Sequence, residues 1–147
     1  MNCEAFDNDI QLTLQQYGPL GMEVKLISVQ DRATPTPPGD WIAVTVGVAP
    51  VVPNQVWRAD TWHYGGVLST SAGPLPLGVR FMEAARLIGA CAAAQKLPDG
   101  FPVKDAACDL YWPLVPGVDE PAYHFHAGDQ YVSVGAYTGT ASTTADD

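Results

Sequence analysis

The sequence predicts an α+β fold in a single domain that spans residues 1–137. In this prediction, a mostly antiparallel sheet of about five to six strands packs on one main helix over residues 79–97, beside a shorter N-terminal helix. The chain has 147 residues, of which 47% are hydrophobic, so it is long enough to bury one core. Its 13 prolines and 14 glycines indicate many connections between short strands. Residues 138–147 contain no candidate core residue and are predicted to form a flexible C-terminal tail.

The main helix is predicted from its apolar periodicity. Phe81, Ala84, Ile88 and Ala92 recur at the spacing of one helix face, and the alanine-rich composition favours a helix. The sequence therefore predicts that this helix is largely buried against the sheet.

The N-terminal segment, residues 5–17, has two interpretations. Phe6, Ile10, Leu14 and Tyr17 are at helical spacing, but the residues from Ile10 to Leu14 also alternate between apolar and polar, as in a strand. We favour the helix, because it also accounts for Phe6 and Tyr17.

Four strands precede the closing hairpin in the prediction. They cover residues 22–30, 41–49, 55–64 and 109–115. The first contains either a bulge or residues buried on both faces, because its alternation slips after Leu26, and Pro113 makes the last a short edge strand. Residues 31–40 read as a proline-rich connection, and Gly65-Gly66 as a hairpin turn into residues 67–71.

The closing hairpin is predicted in residue detail. Residues 122–127 and 130–137 flank Gly128-Asp129, which suits a two-residue turn, and this register pairs His126 with Tyr131 and His124 with Ser133. One face then carries the apolar residues Tyr123, Phe125, Val132, Val134 and Ala136, and is expected to be buried. The other carries His124, His126, Tyr131, Ser133, Gly135 and Tyr137.

A weak internal similarity suggests a duplication. Residues 39–50 and 128–139 both begin with Gly-Asp and continue into a valine-rich strand. A duplicated helix–strand–strand unit, with both copies in one sheet, would account for it, although such short segments are also common by chance.

The composition excludes some partner classes. The formal charge is −9, from sixteen Asp and Glu against seven Lys and Arg. The basic residues are scattered along the sequence, so we expect binding neither to nucleic acid nor to membranes. A basic protein partner is compatible with this charge. The sequence has no recognisable signal peptide and no apolar run long enough to span a membrane, so a soluble cytoplasmic protein is expected.

Three cysteines bear on the compartment. Cys3, Cys91 and Cys108 are an odd number without C-x-x-C spacing, so we expect reduced thiols. Cys91 would be a small core residue, and Cys108 would lie in an exposed region.

The candidate site lies on the polar face of the closing hairpin. Tyrosine is enriched at the centres of protein interfaces, so the candidate partner-binding residues are Tyr131, Tyr137, His124, His126 and Ser133. The tryptophans Trp41, Trp57 and Trp112 are expected in the core. The His124–His126 pair, with His63, is an alternative set of metal ligands. No catalytic triad, phosphate-binding loop or cofactor motif is present, so no cofactor is expected.

These observations leave three hypotheses for function. We favour a small acidic, non-catalytic binding protein of the inhibitor, immunity or adaptor kind, which recognises a protein partner through an aromatic sheet face. The alternatives are a metal- or ligand-binding enzyme that uses His124 and His126, and an assembly or virion-type structural protein. The last is compatible with a homo-oligomer.

Overall fold

The computed structural model describes residues 1–52, 55–65, 69–75 and 78–143. Helix α1 spans Cys3–Gln15 and helix α2 spans Ala90–Ala94. The strands are β1 Val24–Pro35, β2 Pro38–Val48, β3 Arg58–His63, β4 Ser69–Pro74, β5 Ala107–Tyr111, β6 Ala122–Ala127, β7 Gln130–Gly135 and β8 Ala141–Thr143. Single 3-10 turns occur at Gly18–Leu20, Ala84–Arg86 and Val103–Asp105. No helix in these ranges is both long and apolar enough to cross a membrane.

The strands form one antiparallel sheet in the order β4-β3-β2-β1-β5-β6-β7-β8. The α+β class and the antiparallel sheet are therefore confirmed, but the sheet has eight strands instead of five or six. The predicted bulge in β1 is present, since the pairing with β2 shifts between Leu26 and Ser28. β5 lies between β1 and β6, so the prediction of an edge strand there is wrong. Pro113 lies beyond the end of this strand and removes no hydrogen bond from it.

Three connections differ from the prediction. Most of residues 31–40 belongs to β1 and β2, because the prolines are confined to the tip, where Pro35 pairs with Pro38. β3 pairs with β4 as a hairpin, but Gly66 and residues 67–68 of the predicted turn lie outside the described residues. Residues 141–143 of the predicted tail pair with β7 as β8, so the sheet extends beyond residue 137; residues 144–147 lie outside the described residues.

The element order is symmetrical. A helix and four strands (α1, β1–β4) are followed by a second helix and four strands (α2, β5–β8), and the two sets meet where β1 pairs with β5. The segments 39–50 and 128–139, however, contribute β2 and β7, which are the second and third strands of their sets. The sequence similarity thus joins strands that do not occupy equivalent places.

The N-terminal helix is confirmed as α1, and it is the longer of the two. The Asn2 side chain accepts a hydrogen bond from the Ala5 N–H and so caps its first turn. Phe6 and Ile10 are buried, and the ring of Phe6 lies 5.9 Å from that of Tyr123 on β6. This helix therefore contributes to the core over one face of the sheet.

The predicted main helix over residues 79–97 is wrong. Met82 is extended and its N–H donates to the Leu26 carbonyl at 2.8 Å, which adds one bridge to the edge of β1. Residues 84–86 form one 3-10 turn. Gly89, with φ of 89°, is not helical and separates this turn from the short α2. In residues 79–97, Met82, Ala90 and Ala93 are buried and most other apolar side chains are partly buried along an irregular path, because contacts with α1 and the sheet override helix propensity.

The cysteine prediction is also wrong. Cys3 and Cys91 form a disulfide that joins α1 to α2. The Ala90 N–H donates to Asp7 of α1 at 2.7 Å, which holds the two helices together. Cys108 is buried instead of exposed, and burial raises the pKa of its thiol. Because disulfides persist in oxidising compartments, this one weighs against the predicted cytoplasmic location, which stays a prediction.

The opposite side of the sheet, which we call the open face, carries the alternate residues of each strand. On β2 the valines and Ile42 point into the core, whereas Trp41 and Thr45 point to the open face. The predicted core face of the closing hairpin is confirmed, since Tyr123, Phe125, Val132, Val134 and Ala136 are all buried. The polar face of that hairpin therefore belongs to the open face.

Candidate functional site

Four aromatic and imidazole rings lie together on the open face of β5, β6 and β7. We call Tyr111, His124, His126 and Tyr131 the ring cluster. The rings of Tyr111 and His124 are stacked with centroids 4.3 Å apart and an interplanar angle of 21°. The Tyr131 and His126 rings lie edge to face, with centroids 4.5 Å apart. The predicted pairs His126–Tyr131 and His124–Ser133 are both confirmed, because Gly128 at φ of 59° gives the expected two-residue turn.

Hydrogen bonds fix the centre of the ring cluster. Ser133 donates to the Tyr131 hydroxyl at 3.3 Å, and that hydroxyl lies 2.5 Å from His124 Nδ1. Ser133 is thus a donor within the cluster, and the Tyr131 hydroxyl and His124 Nδ1 share one hydrogen bond whose direction depends on the His124 tautomer. His124 Nε2 is buried, and no described group is its hydrogen-bond partner.

The environment of His124 disfavours its charged form. The side chain is only 6% exposed, and burial lowers its pKa to about 4, with a smaller contribution from the nearby His126. Asp109, which is opposite His124 on β5, acts in the other direction. His124 is thus a neutral imidazole near pH 7.

Asp109 is occupied by a second partner. Arg32 on β1 donates to both of its carboxylate oxygens, at 2.8 and 3.4 Å. This ion pair lies beside the ring cluster on the open face and neutralises the charge of Asp109 there. The site is consequently aromatic and polar without a strong net charge.

Tyr137 does not lie in the ring cluster. β7 ends at Gly135, and the chain turns there, so the strand alternation that would place Tyr137 on the open face is lost. Its hydroxyl accepts from the Glu83 N–H at 3.0 Å, and the Arg86 guanidinium lies 4.1 Å from its ring. Of the five predicted partner-binding residues, the structure therefore brings together His124, His126, Tyr131 and Ser133.

His63 is also distant from the other two histidines. It lies on β3 and stacks on Trp41 of β2, with ring centroids 4.7 Å apart. Three strands separate β3 from β6, which corresponds to about 19 Å at the usual strand spacing. The three predicted ligands cannot meet at one ion. Among the described residues, no group of three or more His, Cys, Asp and Glu side chains is placed to hold a metal.

Sequence reasoning missed two parts of this surface. Tyr111 was placed only on an edge strand, although its alternation with Leu110 would put it beside the histidines once β5 is paired with β6. Trp41 was expected in the core, but it is 39% exposed and forms with His63 a second ring stack on the open face. Trp57 and Trp112 are partly buried at one end of the sheet.

Comparisons with protein families, with curated proteins and with solved structures find no significant match to this chain.

Proposed function

We propose that this protein is a small, non-catalytic binding protein that recognises a protein partner through the open face, with the ring cluster at the centre of the contact. The observation that carries the proposal is the stack of Tyr111 on His124. The His124 ring is held in place by hydrogen bonds of its Nδ1 with Tyr131 and Ser133. Tyr111 and His126 are the exposed residues of the ring cluster. Large rings presented on a rigid sheet are what interface centres require.

The preorganisation of these rings favours affinity. Fixing a mobile side chain on binding costs roughly 0.5–1.5 kcal/mol, and this cost is reduced when the side chain is already held in the free protein. His124 and Tyr131 are held by their hydrogen bonds, and Trp41 by its stack on His63. A partner would therefore meet a surface whose central side chains are already ordered.

The dimensions of the open face favour a protein over a small molecule. Eight strands at the usual spacing, with about six residues each, give a surface of about 34 Å by 20 Å. That area is close to the roughly 800 Å² that each partner buries in a standard protein interface. Four cavities in the described chain lie elsewhere, and the ring cluster lines none of these four.

The charge distribution limits the role of electrostatics. Arg32 and Asp109 pair with each other on the open face, so the −9 charge of the chain does not arise from the ring cluster. A basic partner would be attracted by the long-range field, which raises the association rate, while the rings would supply most of the contact energy.

The proposal is tested by purifying the tagged protein from its native source and measuring hydrogen exchange of the chain with and without its co-purified partner. The backbone amides of β5, β6 and β7 are expected to exchange more slowly when the partner is bound, whereas those of α1 are expected to be unchanged. Protection confined to α1, or none in the sheet, would overturn the proposal.

A further inference from the structure

Among the described residues, the large exposed aliphatic side chains lie at one end of the sheet. Six aliphatic residues are 53–80% exposed, and all of them lie in connections that meet at the end where β1 starts and β2 stops. They are Leu20, Val51, Val52, Val56, Leu114 and Val115. The register places the α1–β1, β2–β3 and β5–β6 connections at this same end. Scattered exposed valines need no explanation, but Val56, Leu114 and Val115 line two adjacent cavities at this end, and such a group indicates an interaction site.

A groove with two chambers runs along this end. The first chamber, of about 470 Å³, is lined by Val56, Trp57, Pro74, Leu75, Gly78, Val79 and Phe81. The second, of about 330 Å³, is lined by Gly78, Arg80, Leu114, Val115 and Pro116. Because Gly78 lines both, the chambers are adjacent, and we call them together the end groove.

The floor of the first chamber is fixed by packing. The Phe81 ring lies 4.9 Å from the Trp57 ring and covers Gly47 of β2, where a β-carbon would come within 2.5 Å of it. The Lys25 ammonium lies 5.7 Å from the centroid of the Phe81 ring. An aromatic floor with open aliphatic walls suits apolar side chains from a partner.

The second chamber adds a positive charge. Arg80 is the one charged residue among the described residues that line the end groove. Its guanidinium is stacked 3.8 Å above the Trp112 ring and donates to the Val118 carbonyl at 2.8 Å. This orientation leaves further N–H groups for an anion, and a guanidinium matches a carboxylate well.

We propose that the end groove binds an apolar segment of a partner protein that carries a carboxylate. Its apolar side chains occupy the chamber of Trp57 and Phe81, and its Asp or Glu side chain pairs with Arg80. The occupant is a protein segment because an apolar chamber and an adjacent one with Arg80 suit a chain that carries both apolar and acidic side chains. A membrane is disfavoured because a chain of net charge −9 is repelled by anionic lipid. The end groove uses none of the ring cluster, so this proposal is independent of binding at that cluster.

The probe is a displayed library of short random peptides, selected against the immobilised full-length chain. Enriched peptides are expected to combine two or more large apolar residues with an Asp or Glu. Their affinity, measured by fluorescence anisotropy, should fall at least about tenfold for Val56→Glu and for Arg80→Glu. Replacing the peptide acid by Lys should restore part of the binding to Arg80→Glu and weaken binding to the original chain.

Two matched controls separate groove binding from a general effect of charge. Leu20→Glu introduces the same charge at an exposed aliphatic residue outside the two chambers, and Lys96→Glu reverses an exposed charge elsewhere; both should leave the affinity unchanged. Circular dichroism establishes that each variant is folded. The proposal would be overturned if no peptide were enriched or if the enriched peptides lacked acidic residues. It would also be overturned if they bound Arg80→Glu and the original chain with equal affinity. Val56-dependent sedimentation with neutral phosphatidylcholine vesicles would overturn it in favour of lipid.

Discussion

The His124 imidazole lies beneath the Tyr111 ring, with centroids 4.3 Å apart, and this stack joins the two strands β5 and β6 on the open face of the sheet. Tyr131 and Ser133 hold the same imidazole from β7. Three strands are thereby connected through one neutral histidine, whose protonation would leave a buried charge beneath a tyrosine.

Protonation of His124 should destabilise the fold. Its pKa is about 4 when folded and about 6.5 when unfolded, so the unfolded state takes up the proton first as the pH falls. The stabilisation is complete above pH 6.5 and is lost as the pH falls towards 4. Between pH 7 and pH 5 we expect a loss of about 2 kcal/mol in the free energy of unfolding that is absent in His124→Gln. Urea unfolding at both pH values measures it, with the exposed His126→Gln as the control. An equal pH dependence in His124→Gln would contradict the assignment.

Asp31 should have the opposite pH dependence. It is fully buried, and neither of its carboxylate oxygens finds a hydrogen-bond partner in the described chain. Burial, reinforced by the Asp40 carboxylate, raises its pKa to about 7, so the native state retains a proton that the unfolded state loses near pH 4. Stability therefore declines as the pH rises from about 4 to 7. The free energy of unfolding of Asp31→Asn, relative to that of the original chain, should rise by about 1–3 kcal/mol from pH 5 to pH 8. Thermal unfolding measures this, and a similar gain in the exposed Asp129→Asn would refute it.

Tyr17 anchors the end of α1 to β3. Its hydroxyl donates to Asp60 at 2.8 Å and accepts from Trp62, while Arg58 holds the same carboxylate. Tyr17→Phe leaves the buried Asp60 and Trp62 without this partner, so we expect a loss of about 1–3 kcal/mol in the free energy of unfolding. Denaturant titration tests this. Tyr111→Phe, which removes a hydroxyl from an exposed ring, should change stability by less than about 0.5 kcal/mol. The prediction fails if both variants behave alike.

The Cys3–Cys91 disulfide closes a loop with a sequence separation of 88 residues. In the chain-entropy model, such a cross-link stabilises a fold by about 4.5 kcal/mol, because it restricts the unfolded chain. The double variant Cys3→Ser, Cys91→Ser should therefore melt at a lower temperature than the original chain. A thiol titration of the denatured, unreduced protein should find one reactive thiol, from Cys108. Three thiols would show that the disulfide does not form.

Local signals in the sequence were sufficient for several elements. The closing hairpin was predicted with its register, because Gly128-Asp129 and strict alternation on both sides define one pairing. The N-terminal helix and the bulge after Leu26 also follow from the positions of neighbouring residues. These features depend on contacts between residues that are close in the chain.

Features that depend on distant contacts were not predictable. The apolar period of residues 79–97 resembles a helix, but the segment bridges β1 at Met82 and turns at Gly89. Its disulfide partner is 88 residues away in sequence, and nothing near Cys91 indicates it. Tyr111 belongs to the site only because β5 is inserted between β1 and β6. The histidines and Tyr131 were found because their hairpin is local, whereas Tyr111 and Trp41 were not.

Titration of the isolated partner into the full-length chain and into the double variant Tyr111→Ala, His126→Ala tests the central proposal most directly. Both side chains are exposed on the open face, but removal of the Tyr111 ring also uncovers His124, so binding is measured well below the melting temperature of each variant. If the ring cluster is the centre of the interface, calorimetry should give a dissociation constant raised by about tenfold to a hundredfold, with Leu20→Ala as the unaffected control. An unchanged dissociation constant for the double variant would contradict recognition through the open face.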